Sequence, residues 1–383
     1  MSKELGQFFT INEGLQQYVF DHVEHKGAPL LEPSFGAGHL LKNFKEHDDE
    51  YPMECYEIDS SIERCINFND NQRIVYGDFM SQEFDKKFKT IIGNPPYVKQ
   101  SKGNLYIQFI EKCYHLLDDD GELIFIVPSD FIKLTSASKI ITEMVRTGSF
   151  THFLFPNDEK LFDSASVDVV VFRYQMGVCQ DIVNVGGVPK YCNVIDGILT
   201  LNDTPQCGNI VSNVFSTYVG LVSGRDEVYK MPFGMTDVLV DENNIEKFIF
   251  PTKFPTENEK IDKHLMKHKD ELLGRKIKKF NENNWFEWGA PRNIKTMEEH
   301  KGRPCIYVRN LTRNINVAFK GTVTYFGGKL LCLIPRTEID LDNIVTYLNS
   351  DMFKKNYMYA GRFKIGQRQL ANAVLSELKK HEM

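Results

Sequence analysis

No run of apolar residues in this sequence approaches the ~20 needed to cross a bilayer, so a membrane-spanning helix is not expected. The opening residues, MSKELGQFF, lack an apolar stretch of signal-peptide length. Eight cysteines, at 55, 65, 113, 179, 192, 207, 305 and 332, form no CxxC pair and keep no regular spacing. Scattered thiols without a secretion signal fit reduced side chains of a cytoplasmic protein, not a disulfide framework. His264 and His268 stand one helical turn apart in HLMKHK with no glutamate beside them, so a solvated helix face is expected there and no metal. Internal repeats and low-complexity tracts are also missing. What remains is ordinary globular composition, 42% hydrophobic and 26% charged, over 383 residues, enough for two domains.

Neither sign of charge dominates overall, but the two signs are unevenly placed. Residues 1–178 hold 17 Lys and Arg against 28 Asp and Glu, whereas 261–380 hold 23 against 12. An acidic first half suits a small or cationic ligand, and a basic last third suits a polyanion.

Short apolar runs recur at 29–31, 53–58, 73–77, 88–93, 122–127, 150–155 and 167–174. Helical patterns lie between them, clearest in NLYIQFIEKCYHLL at 104–117. Strands alternating with helices predict an α/β fold, a doubly wound Rossmann-like sheet with parallel character, buried on both faces. After about residue 180 the rhythm changes to short strand-like pieces with Gly, Asn and Thr turns, predicting a mixed α+β second domain. The expected division is 1–210 and 211–383.

Four strand ends carry the chemistry. LLEPSFGAGHLL (30–41) is a buried strand, an acid and a Gly-x-Gly turn, which lets backbone amides approach a ligand at a helix start. The next strand ends in YEID, putting Glu57 where nucleotide sites hold ribose hydroxyls, and the third ends in YGDFM, offering Asp78 and Phe79 to an adenine. A dinucleotide is disfavoured because the turn lacks a third glycine and the fourth strand ends in NPPY (94–97). Two prolines make that turn rigid. The Asn94 side-chain oxygen and the Pro95 carbonyl are two aimed acceptors for the N–H bonds of a purine amine, and this pairing turns the nitrogen lone pair toward an electrophile. Tyr97 offers a face to the base, a contact worth ~1–3 kcal/mol.

These motifs in this order resemble the gamma-class (TaqI-type) DNA adenine-N6 methyltransferases of restriction–modification systems. The resemblance runs through GQFFT (6–10), LEPSFGAGH (31–39), ECYEID (54–59), GDFM (77–80), NPPY (94–97), NLYIQF (104–109) and LFDSASVDVVVF (161–172). It implies S-adenosyl-L-methionine as cofactor, with Thr10 at its amino-acid end and Glu32, Gly36 and Gly38 lining the methionine pocket. By the same likeness Glu57 would hold the ribose, and Asp78, Phe79 and Phe109 the adenine. Asn94, Pro95 and Tyr97 would be catalytic, with Phe162 the second aromatic wall around an adenine flipped out of duplex DNA.

The last third resembles the family's target-recognition domain at IVTYLNSDMFKKNYMYAGRFKIGQRQL (344–370). Lys354, Lys355, Arg362, Lys364 and Arg368 interleave there with Tyr357, Tyr359 and Phe363, a mixture that suits phosphate contact and base stacking. The resulting expectation is a monomeric modification enzyme acting on double-stranded DNA, with a separate restriction endonuclease as its partner. Two alternatives stay open: an NPPY methyltransferase for a release-factor glutamine or RNA guanine N2, and a non-catalytic DNA-binding specificity protein.

Overall fold

Burial of continuous apolar runs on both faces organises the first half of the chain. In the computed structural model these runs are strands β1 (Leu30–Glu32), β2 (Met53–Glu57), β3 (Gln72–Tyr76), β4 (Phe88–Gly93), β5 (Leu117–Pro128), β6 (Gly148–Leu154) and β7 (Val169–Met176). A three-stranded extension follows: β8 (Ile182–Val185), β9 (Val188–Ile195) and β10 (Ile198–Asn202). The structure describes residues 9–45, 47, 51–100, 103–156, 158, 161, 168–205, 209–359 and 361–375. Two units make up the chain, Met1–Gln206 and Cys207–Met383.

All ten strands form one sheet in the order 10-9-8-6-7-5-4-1-2-3. Strands β1 to β5 are parallel, and β7 runs antiparallel between β5 and β6. This is a Rossmann-like sheet with a reversed seventh strand, in line with the α/β fold expected. Successive side chains leave a strand on opposite faces. Leu31, Ile91, Leu123 and Phe125 therefore enter one core with helices α2 (Leu105–His115) and α3 (Ser138–Thr147). Leu30, Ile92, Ile124 and Ile126 enter the other with α1 (Glu13–Asp21). Asn12 starts α1 by accepting the Leu15 N–H at 3.0 Å, an ordinary N-cap.

In the second unit an antiparallel sheet orders β11 (Phe215–Val219), β14 (Leu330–Pro335), β12 (Pro304–Arg309) and β13 (Ala318–Thr322). Its alternation separates two cores. Cys305, Tyr307 and Cys332 face one that contains Trp285 and Trp288. Ile306, Val308 and Leu331 face another, built with Ile344, Phe353 and Phe363. Among the described residues no helix is long and apolar enough to cross a membrane.

Candidate active site

Strand order reverses between β1 and β4, because the chain runs outward through β2 and β3 before returning to β4 on the other side. Open α/β sheets bind ligands beyond the carboxyl ends of strands at such a switch point. Here the cavity, about 280 Å³, is lined by Ser34 after β1, Glu57 at the end of β2 and Ile58 after it, Asp78 and Phe79 after β3, and Asn94 after β4. Phe109 and Gln108 of α2 close one side.

Asn94 is held from both ends. Its Nδ2 donates to Thr10 Oγ1 at 3.0 Å, and its Oδ1 accepts the Tyr97 hydroxyl at 2.5 Å. The same hydroxyl also lies 3.0 Å from the Ile126 carbonyl, so its single proton is shared between two acceptors. Pro95 is buried. Burial holds the Tyr97 phenol well above its ordinary pKa, so it stays a donor.

Several expected residues stand at the cavity, and others stand behind it. Glu57, Gly36, Asp78, Phe79, Asn94 and Phe109 are on its lining. Glu57 also braces the glycine turn: its Oε2 accepts from Gly36 N–H at 2.7 Å and its Oε1 from Asp59 N–H at 2.9 Å. Gly36 has φ +58°, and a Cβ there would lie 3.1 Å from the Phe9 ring, so the turn presses backbone against an aromatic wall. Gly38 is off the lining. It has φ +87°, and a Cβ there would sit 2.5 Å from Phe35, so packing explains this glycine. Thr10 is likewise off the lining, and 4% exposed; it positions Asn94 where a direct ligand contact was expected. Glu32 is 2% exposed and lies beneath the turn, accepting from Ser34 N–H at 2.9 Å and Ser34 Oγ–H at 3.1 Å. Loss of solvent raises its pKa to about 8 against those two bonds, with the nearby Glu57 charge adding to the rise. Phe162 and residues 6–8 of GQFFT lie outside the described residues.

Lys112 was not singled out in the sequence, where it is one polar residue in an amphipathic helix. Its ammonium donates to the carbonyls of Phe79, Met80 and Gln82 at 2.7, 3.1 and 2.6 Å and sits 4.7 Å from the Phe79 ring centroid. Asp78 caps the same turn from the front, accepting from Met80 N–H at 2.9 Å. Together they lock the turn that presents Asp78 and Phe79. A lysine in register with cavity-facing Phe109 and Gln108 was the only available signal.

The basic run of the second unit needs correcting. Tyr357 and Phe363 are 7% and 1% exposed and pack in the core, because the short elements around them turn these rings inward. They are not a stacking surface. Lys354 reaches the Ile315 carbonyl at 3.1 Å and Asp351 at 3.1 Å, which ties it into a local loop contact. Lys355 is exposed, and Arg362, Lys364 and Arg368 are half-buried. Part of the positive balance is internal: buried Arg275 donates to the carbonyls of Leu272, Ser223, Trp285 and Glu287, and buried Arg309 pairs with Asp241. His264, for its part, faces the Val228 carbonyl at 2.8 Å.

Comparison with known proteins adds a lineage to this geometry. Residues 34–162 match the family described as Eco57I restriction-modification methylase. The chain is 30% identical over 204 residues to the Type II methyltransferase M.HincII of Haemophilus influenzae, covering 47% of this chain and 39% of that one. It is 23% identical over 383 residues to the Type II methyltransferase M.TthHB8I of Thermus thermophilus, covering 89% of this chain and 83% of that one. Among solved structures, the type IIG restriction endonuclease BpuSI aligns over 96% of this chain and 58% of its own, at 12% identity and a TM-score of 0.36. The chain thus spans about two fifths of the length of the Haemophilus relatives that it matches. Through its first unit it resembles the methyltransferases of restriction–modification systems, and that unit has a Rossmann-like fold.

Proposed function

We propose that this chain is an S-adenosylmethionine-dependent DNA methyltransferase of a restriction–modification system, and that it modifies N6 of an adenine flipped out of duplex DNA. The observation that carries the reading is Asn94, its carboxamide clamped between Thr10 and Tyr97 at the edge of a cavity at the switch point. A preset acceptor at that place suits an amine nitrogen whose lone pair is otherwise delocalised into a ring. The cavity fits the cofactor chemically: Glu57 and Asp78 are acceptors for hydroxyl and amine groups, and Phe79 and Phe109 make an apolar wall for a purine. Bound there, S-adenosylmethionine supplies a methyl group activated by its sulfonium.

This chain's residues do the remaining work. Asn94 Oδ1 and the Pro95 carbonyl accept the two N6 hydrogens, and Tyr97, fixed through its hydroxyl, gives the base a rigid ring to lie against. Gly36, braced by Glu57, lets the backbone come close to the ligand. The direct test is to incubate the protein with plasmid DNA and labelled cofactor, then map modified bases by direct sequencing. N6-methyladenine at one recurring sequence is expected. Label appearing only in added RNA or protein would overturn the reading.

Duplex binding is assigned to the second unit, through its solvent-reaching cations. If Lys364 and Arg368 contact phosphates, each Ala variant should weaken binding to any duplex and flatten the log K against log salt slope by about one unit. Salt titrations on specific and scrambled duplexes check this. Wild-type affinity and slope in both variants would move the DNA face elsewhere in this unit.

A further inference from the structure

On the cavity wall, one polar group lacks its complement. Gln108 lies on α2, one helical turn ahead of Lys112, and lines the cavity beside Phe109. Its Nε2 is buried and has no hydrogen-bond partner among the described residues. Buried donors are almost always paired, and leaving one unpaired is unfavourable. A helix side chain facing solvent could swing out to water, but this amide nitrogen is shielded, and the residue that carries it is on the cavity wall.

The surroundings identify the missing acceptor. Phe79 and Phe109 meet at 5.4 Å between centroids, with 30° between planes, and form one apolar wall. Asp78, on the turn that Lys112 locks, brings a carboxylate to the same cavity. A flat heterocycle against the phenylalanines would present ring nitrogens along its edge, and these are acceptors without hydrogens. A glutamine amide is a common partner for such an edge, because it pairs with an adenine ring nitrogen and its exocyclic amine together.

We infer that Gln108 is a specificity residue for the cofactor's base, donating its buried Nε2–H to a ring nitrogen of the adenine. This rests on the methyltransferase reading of the cavity. It divides recognition between two elements: the turn after β3 supplies Asp78 and the stacking wall, and α2 supplies the neutral donor. The carboxylate accepts only, so it cannot satisfy a ring nitrogen. Gln108 fills that gap, and a nucleoside lacking the nitrogen should be rejected.

Calorimetric titration with S-adenosylhomocysteine and its 1-deaza, 3-deaza and 7-deaza counterparts tests the assignment on the full chain. Each counterpart replaces one ring nitrogen by C–H. Wild type should bind one of them about tenfold more weakly than the parent, the usual consequence of one lost partner. Gln108→Leu should bind the parent about tenfold more weakly and treat that counterpart and the parent alike. Gln108→Met, with a flexible chain of similar length and no donor, should behave as Gln108→Leu does, which guards against a packing defect peculiar to leucine. If both variants keep the wild-type deaza penalties, or bind the parent as wild type does, Gln108 is not the reader. If wild type fails to bind S-adenosylhomocysteine at all, the reading of the cavity falls and the assignment with it.

Discussion

Asn94→Ala is expected to lower the methylation rate by on the order of 10² or more, the scale seen when one preorganised polar group is removed from a reacting centre. Affinity for S-adenosylhomocysteine should change little, because the carboxamide is held by Thr10 and Tyr97 at the cavity's edge while Glu57, Asp78 and the phenylalanine wall remain in place. The loss should fall on the chemical step, so single-turnover rates on saturating DNA are the measurement. Tyr97→Phe provides an internal comparison: it keeps the ring but deletes the hydroxyl that pins Asn94 Oδ1. Its penalty should be smaller, since Thr10 still holds the other end of the amide. Near-normal single-turnover rates in Asn94→Ala would remove this residue from the mechanism.

The parts of this site that could be read from the sequence are those with local signals. An apolar run that stops at an acid or an amide marks a strand end, and four such ends meet at the switch point, bringing Ser34, Glu57, Asp78 and Asn94 to one cavity. What stayed hidden depends on three-dimensional neighbours. Thr10 and Asn94 are 84 residues apart, so nothing in GQFFT announces that its threonine hydroxyl receives the asparagine amide. Gly36 and Gly38 look equivalent in GAG, yet one borders the cavity and the other makes room for Phe35. The basic and aromatic run failed differently. In short irregular elements no period tells an inward ring from an outward one, and Tyr357 and Phe363 went to the core. Strand direction is equally silent in sequence: VDVVVF reads the same whether β7 runs parallel or antiparallel to β5.

The largest stability effect is expected far from the chemistry, at Arg173 on β7. This guanidinium is 1% exposed and pairs with Glu122 of β5, its Nε at 3.0 Å and its Nη2 at 2.8 Å from Glu122 Oε2. Its Nη1 donates to Thr151 Oγ1 at 2.8 Å, and its Nη2 also meets Glu24 at 2.8 Å. Glu122 is fully buried, and its second oxygen accepts from Thr90 Oγ–H and from the backbone N–H groups of Glu24 and His25. The pair therefore joins β4, β5, β6, β7 and the segment after α1. Arg173→Met leaves the carboxylate in a dry sheet without its cation, a change that costs about 3–5 kcal/mol when a buried pair is broken from one side. For a unit of this size each kcal/mol is worth roughly 2–4 °C, so melting should fall by about 10 °C. Both tryptophans belong to the second unit, which makes their fluorescence a poor reporter, and circular dichroism should follow the transition. The double variant Glu122→Gln with Arg173→Met decides the cause. Removing both charges should recover much of the loss, because a matched neutral pair carries no stranded ion. If the double variant melts as low as Arg173→Met alone, the loss comes from packing around the guanidinium and not from an unpaired carboxylate.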